Sequence, residues 1–158
     1  ITIHASEPPD LELIDDALVH GAHRIGHGVR LRSDITTHDD GSLHLGPLAR
    51  YVLDHQIPLE MAPTCHVQVG AVPDLASHPI GPMLRAGFDV SVNTDNRLMS
   101  DVMPSSELQI VVDTFDLSLD EAERLVVNGV MAGFAPIEVR RRIVDRQIRP
   151  AFATRRGD

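Results

Sequence analysis

Four short apolar runs recur along this chain, and each is followed by a stretch with helical spacing. They are "ITI" (Ile1 to Ile3), "RIGHG" (Arg24 to Gly28), "IPLEMAP" (Ile57 to Pro63) and "FDVSVNTDN" (Phe88 to Asn96). Strands that alternate with helices pair in parallel, because each crossover helix returns the chain to the end where the last strand began. The crossovers are right-handed. The pattern predicts an α/β fold of four parallel βα units. Such a fold is either a small doubly wound domain or half of an eight-unit barrel, which typically needs ~250 residues; this chain has 158.

The intervening segments carry their own signals. In "DLELIDDALVHGA", Leu11, Ile14, Leu18 and Val19 fall on one face, with Asp10 placed to cap. "LGPLARYVLDHQ" and "HPIGPMLRAG" read as helices, the second closed by Gly87. "SELQIVVDTF" is helical too. In "SLDEAERLVVNGVMAGF", Ser118 and Glu121 form a capping box ahead of a stripe of Leu119, Ala122, Leu125 and Val126. Pro136 opens a last basic helix, at a place where proline is favoured. Residues 29–44 read as a looser stretch, and the terminal "RRGD" as a solvated end.

Composition excludes several functions. A net charge of −9 argues against a nucleic-acid partner, since phosphate-backbone binding needs a basic surface. No run of 18 or more apolar residues is present, so a membrane-spanning helix is not expected, and the first residues lack a secretory-signal pattern. Cys65 is the only cysteine; it permits no internal disulfide and no four-thiolate zinc site, and points to a reducing, cytoplasmic home.

The chemistry concentrates where the strands end. His4 and Glu7 follow the first strand, His27 closes the second, and Asp95 and Asn96 follow the fourth. In parallel α/β folds that rim is where ligands bind. Taken singly, each residue reads equally as a hydrogen-bonded structural group or a turn. Two imidazoles, a carboxylic acid and an aspartate on one rim are the set a metal-assisted hydrolysis uses, as ligands and as proton donors and acceptors.

"TIHASE", "RIGHGVR", "PLEMAPT" with "VQVGA" after it, "HPIGPMLRAG" and "VSVNTDN" occur in that order and spacing from Ile1 to about Ala153. As a series they resemble the C-terminal half of adenosine deaminase. The resemblance implies that residues 1–158 are a single partial domain, the last four units of a (β/α)8 barrel with C-terminal helices. It implies one zinc ion held by His4 and Asp95. It makes Glu7 the acid that protonates the purine ring, His27 the residue that orients and deprotonates the metal-bound water, and Asn96 a hydrogen-bonding partner of the purine. The implied substrate is a purine nucleoside, converted to inosine and ammonia. An adenine or adenine-nucleotide deaminase is the alternative within the superfamily, and a truncated, self-associating remnant is another.

Several positions depart from that pattern. Ser6 stands where the family's H-A-G-E has glycine, and Asn96 where T-D-D is more familiar. "APTCH" replaces C-P-x-S-N, placing Ala62, Cys65 and His66 there, a change expected at the level of packing. The family's H-x-H pair, which supplies two further zinc ligands, is absent from these 158 residues, so the resemblance implies that an N-terminal half-barrel completes the site. His20 and His23 read as a solvated helix end, and His38, His44, His55 and His78 as structural or exposed. Half a barrel is also expected to leave two parallel strand edges unpaired. The cytidine-deaminase type of site, H-x-E with P-C-x-x-C, does not occur.

Overall fold

A computed structural model describes residues 1–5, 10–38 and 42–157. The elements follow the expected alternation. Strand β1 (Thr2–Ala5) leads to α1 (Glu12–Val19), and β2 (Arg24–His27) to a short 3-10 helix, Val29–Asp34. A hairpin of β3 (Ile35–Thr37) and β4 (Leu43–Leu45) precedes α2 (Pro47–Asp54). Next come β5 (Leu59–Met61), α3 (Pro63–Gln68), α4 (Ile80–Arg85) and β6 (Val90–Val92). Helices α5 (Arg97–Ser100), α6 (Pro104–Phe115), α7 (Leu119–Met131) and α8 (Ile137–Ile143) follow. A single π turn over Val144–Ile148 then joins α9 (Arg149–Arg156).

The four expected strands form one parallel sheet in the order β1-β2-β5-β6. Because side chains alternate along a strand, the register sorts them into two faces. Ile3, Ala5, Ile25, Leu59, Met61 and Val90 lie on the face that joins the main core, together with Ile14, Val52, Leu84, Phe88, Val111 and Leu125 from the helices and loops. The pairings Thr2↔Arg24, His4↔Gly26, Gly26↔Glu60 and Glu60↔Ser91 place polar side chains on the other face. One face therefore holds the helices and the other carries Thr2, His4, Glu60 and Ser91, while His27, paired with Ala5, ends its strand in register with the core face.

Helix starts obey local rules. Asp10 Oδ1 accepts the Glu12 N–H at 3.0 Å. The Ser118–Glu121 capping box forms in both directions, at 3.2 and 2.9 Å. Ala122 and Leu125 are buried as expected, while Leu119 and Val19 are exposed, because each sits in a terminal turn beyond the reach of the sheet. Among the described residues the sheet ends, as expected, on two edges without a further strand, β1 on one side and β6 on the other. The β6 edge is partly blunted. There α7 packs along the strand, and the Asn128 side-chain amide donates to the Val90 carbonyl at 2.9 Å. Covering an edge with a helix is one of the standard ways to blunt it.

The "GHG" triplet is a feature of backbone geometry. His27 and Gly28 both adopt left-handed dihedrals, with φ of 69° and 67°. A Cβ on Gly28 would lie 2.8 Å from Leu59 Cδ2, so neither dihedral nor space favours a side chain there. Gly28→Ala is expected to cost about 1–2 kcal/mol, read as a lower urea midpoint at unchanged m-value. An unchanged midpoint would show that the turn relaxes without strain.

Candidate active site

His4, His27 and Asp95 line one cavity of about 180 Å³ at the C-terminal ends of the sheet strands. His4 sits on β1 with its ring across Gly26, whose absent side chain makes room: a Cβ there would lie 3.2 Å from the His4 ring. His27 ends β2, and its left-handed backbone accompanies an imidazole within hydrogen-bond distance of His4. Asp95 also has a positive φ, 50°, and its Oδ2 accepts from the Cys65 thiol at 3.1 Å. Left-handed non-glycine residues are uncommon, and two at one rim mark a site where the backbone has been bent to aim side chains.

Two further polar residues share the cavity, Glu60 and Asn93. Glu60 lies in the middle of β5 and pairs with the buried Arg24 at 3.6 Å, while the Arg24 guanidinium covers the Phe134 ring at 3.5 Å. The Asn93 amide donates to Ser91 Oγ at 3.0 Å. The sequence signal for both was a polar residue inside an otherwise apolar strand, in "PLEMAP" and "VSVN".

Asn96 is placed differently. Its Oδ1 accepts the Met99 N–H at 3.2 Å and caps α5, and it does not line the cavity. Glu7 and Ser6 lie outside the described residues.

Behind the cavity runs a chain of imidazoles. His4 Nδ1 meets His27 Nε2 at 3.1 Å, His27 Nδ1 meets His66 Nε2 at 3.0 Å, and His66 Nδ1 meets His78 Nε2 at 2.8 Å. The chain ends on the Ile80 main-chain N–H, which donates to His78 Nδ1 at 3.1 Å. His66 and His78 are 0% and 1% exposed. Burial, with the nearby His78, His27 and Arg30, pushes the His66 pKa down to about 2. Burial and Arg32 push that of His78 to about 3. Both rings are therefore neutral at physiological pH. The structural reading of His78 holds, and His66 proves to be the link between it and the rim.

Helix α3 delivers Cys65 and His66 to this site. Its N-cap, Ala62, has no side chain able to cap. Glu107, from α6 and fully buried, does so instead: its carboxylate accepts the Thr64 N–H at 2.7 Å and the Thr64 hydroxyl at 2.6 Å.

The donor chemistry of the cavity, imidazole nitrogen and carboxylate oxygen, suits zinc. Among the described residues, no group of three or more His, Cys, Asp or Glu side chains is arranged to hold a metal ion.

The family model for adenosine deaminase matches residues 1–150. The chain belongs to the adenosine deaminase family. It is 44% identical over 157 residues to the adenosine deaminase of Mycobacterium tuberculosis (strain H37Rv), covering 99% of this chain and 43% of that protein. It is likewise 44% identical over 153 residues to adenosine deaminase 1 of Streptomyces coelicolor, covering 96% and 39%. Among solved structures, the adenine deaminase of Arthrobacter aurescens superposes with a TM-score of 0.80 at 28% identity, over 91% of this chain and 41% of that one. An amidohydrolase of Burkholderia ambifaria, crystallised with bound Zn, gives 0.76 at 20% identity over 97% and 40%, a likeness of fold. The chain spans about two fifths of the length of these relatives, as expected of the C-terminal half of a (β/α)8 barrel. No helix among the described residues is long and apolar enough to cross a membrane.

Proposed function

We propose that this chain supplies the C-terminal half of a zinc-dependent adenosine deaminase site, in which water replaces the purine amino group and ammonia leaves. The observation that carries the reading is the cavity shared by His4, His27 and Asp95. In this reading residues 1–158 are one partial domain, and a further segment of half-barrel supplies the remaining metal ligands and the rest of the substrate pocket. His4 and Asp95 would hold the metal. Zinc, when bound, lowers the pKa of a water to about 7 and so supplies a nucleophile at neutral pH.

The chain's own groups do the rest. His27 orients the attacking water from its place beside His4. Glu7 protonates the ring nitrogen, which turns the amino-bearing carbon into an electrophile. Asn96 remains the proposed purine contact. Meeting a purine would require its oxygen to give up the Met99 N–H, or its amide nitrogen to be the donor. Adenine is the second candidate substrate, favoured by the likeness to the Arthrobacter aurescens adenine deaminase.

The test is a substrate and metal comparison on the polypeptide that carries this chain together with its half-barrel partner segment. Adenosine is expected to give inosine and ammonia, with about one zinc per chain by elemental analysis and loss of activity on chelation. Faster turnover of adenine or an adenine nucleotide would transfer the assignment to the alternative. Turnover undiminished by metal removal would end the zinc reading. The 158-residue chain alone is expected to be inactive on adenosine even with added zinc, and deamination by it would refute the need for a second half.

A further inference from the structure

Four imidazoles in hydrogen-bonded series pose a question of direction. A neutral imidazole has one N–H and one lone pair, so each ring in such a series must donate on one side and accept on the other. The end of the series sets the choice. The Ile80 main-chain nitrogen can only donate, and it points at His78 Nδ1. His78 Nδ1 therefore accepts, and its proton lies on Nε2, facing His66 Nδ1 at 2.8 Å. His66 in turn carries its proton on Nε2, facing His27 Nδ1 at 3.0 Å. His27 is left with its proton on Nε2, the nitrogen beside His4 in the rim cavity.

We propose that His66 and His78 are positioning residues that fix the tautomer of His27, with the Ile80 main-chain N–H setting the direction of the whole series. The proposal deepens the deaminase reading and rests on it for its catalytic meaning. It divides the role expected of His27. In this structure the Nε2–H points at His4 Nδ1, 3.1 Å away; in the deaminating site the same proton is the donor that would orient a water or its oxyanion at the rim. Acting from its neutral form as a base at Nε2 would need the proton on Nδ1, and then every ring to the end of the series would have to reverse against the Ile80 N–H.

Two features separate this arrangement from a proton-conducting wire. Conduction needs a carrier that accepts a proton in passing, and both His66 and His78 strongly resist the cationic form. It also needs an open far end, whereas His78 Nδ1 is occupied by the Ile80 main-chain N–H, at the first position of α4, which can donate but cannot take a proton onward. A closed, neutral series transmits orientation. Functional imidazoles are commonly held in one tautomer by a partner on the second nitrogen; here that partner is another imidazole, itself held by a third.

The experiment reads the protons directly. In the 15N-labelled, metal-free chain, two-bond nitrogen–nitrogen couplings across the N–H···N bonds are expected between His78 Nε2 and His66 Nδ1, and between His66 Nε2 and His27 Nδ1, with the proton on Nε2 of every ring. A proton found on His27 Nδ1, or a folded chain without these couplings, overturns the proposal. His78→Leu removes the donor to His66 and is expected to bring a Nδ1 proton onto His27 in part of the population, whereas His78→Gln keeps an N–H at that place and should restore the wild-type pattern. The wild-type couplings decide the matter even where His78→Leu fails to fold. In the deaminating polypeptide, His78→Leu is expected to lower kcat about tenfold with KM little changed, and His78→Gln to recover it. Equal kcat in wild type and His78→Leu would remove the link to catalysis. Loss of the deaminase reading would leave the couplings intact, and loss of the couplings would leave wild-type deamination intact, so the two failures are distinguishable.

Discussion

Lowering the pH from about 7.5 to about 5 is expected to weaken the fold by about 3 kcal/mol, a large share of the ~5–15 kcal/mol that holds a domain together. The cause is the buried pair His66 and His78, whose folded pKa values are pushed down to about 2 and about 3. In the unfolded chain both titrate near 6.5, so below that pH the unfolded state binds protons that the folded state refuses. Stability contributed by a depressed pKa is complete above the unfolded value and is lost progressively below it, at about 1.4 kcal/mol per pH unit and per group. By pH 5 the two histidines remove about 4 kcal/mol.

Asp89 works in the opposite sense. Burial raises its pKa to about 6, so the folded state takes up a proton first and, with solvent screening of this half-buried group, gains at most about 1 kcal/mol over the same range. The histidines win because there are two of them and their shifts are larger. Urea unfolding followed by circular dichroism at the two pH values measures the net loss. Superimposed transitions would show that at least one of the two rings is protonated in the folded chain.

Replacing Glu107 with alanine is expected to cost about 3–4 kcal/mol. The carboxylate satisfies two Thr64 donors at the start of α3, in a place where Ala62 offers no cap of its own. Each fully buried donor left without a partner costs about 1–3 kcal/mol, the half-buried Thr64 donors fall toward the low end, and the volume emptied at the buried Glu107 adds a cavity term. Glu107→Gln keeps one acceptor but turns an N–H toward the other Thr64 donor, and should cost about half as much. Denaturant midpoints check both, and a loss below about 1 kcal/mol for the alanine variant would show that water replaces the carboxylate. Because α3 carries His66, the same substitution should also broaden the imidazole resonances of His66 and His27.

The parallel sheet and the rim were legible in the sequence because their signals are local. A strand such as "TIHA" or "VSVN" shows its two-residue period within a few positions, and the residue at its end falls at the rim by geometry alone. The "SLDE" capping box was equally plain, since donor and acceptor lie three residues apart. The β3–β4 hairpin was not, because its strands are only three residues each and half-exposed, with no continuous apolar run to mark them. Helix α3 escaped for a different reason. "PTCHVQ" lacks an apolar stripe and a cap of its own, and what fixes its start comes from a glutamate 43 residues away. His66 read as a packing change and His78 as structural or exposed for the same cause: they are separated by 12 residues from each other and by 39 from His66 to His27, so their series exists only once three segments have been brought together. Asn96 looked like a ligand contact by position, and its side chain caps α5.

The polar face of the sheet carries a consequence for assembly. Thr2, His4, Arg24, Glu60 and Ser91 share it by register; Arg24 and Ser91 are buried within the chain, so a body that closes over this surface meets Thr2, His4 and Glu60, polar groups where aliphatic ones would be expected at an obligate interface. Oily contact supplies little of the driving force for such a closure, and strand-to-strand main-chain pairing along β1 and charge matching near Arg24 and Glu60 supply more. In the proposed assembly with a further half-barrel, joining along this face should accordingly slow and weaken with added salt, and change little in heat capacity for the area it covers.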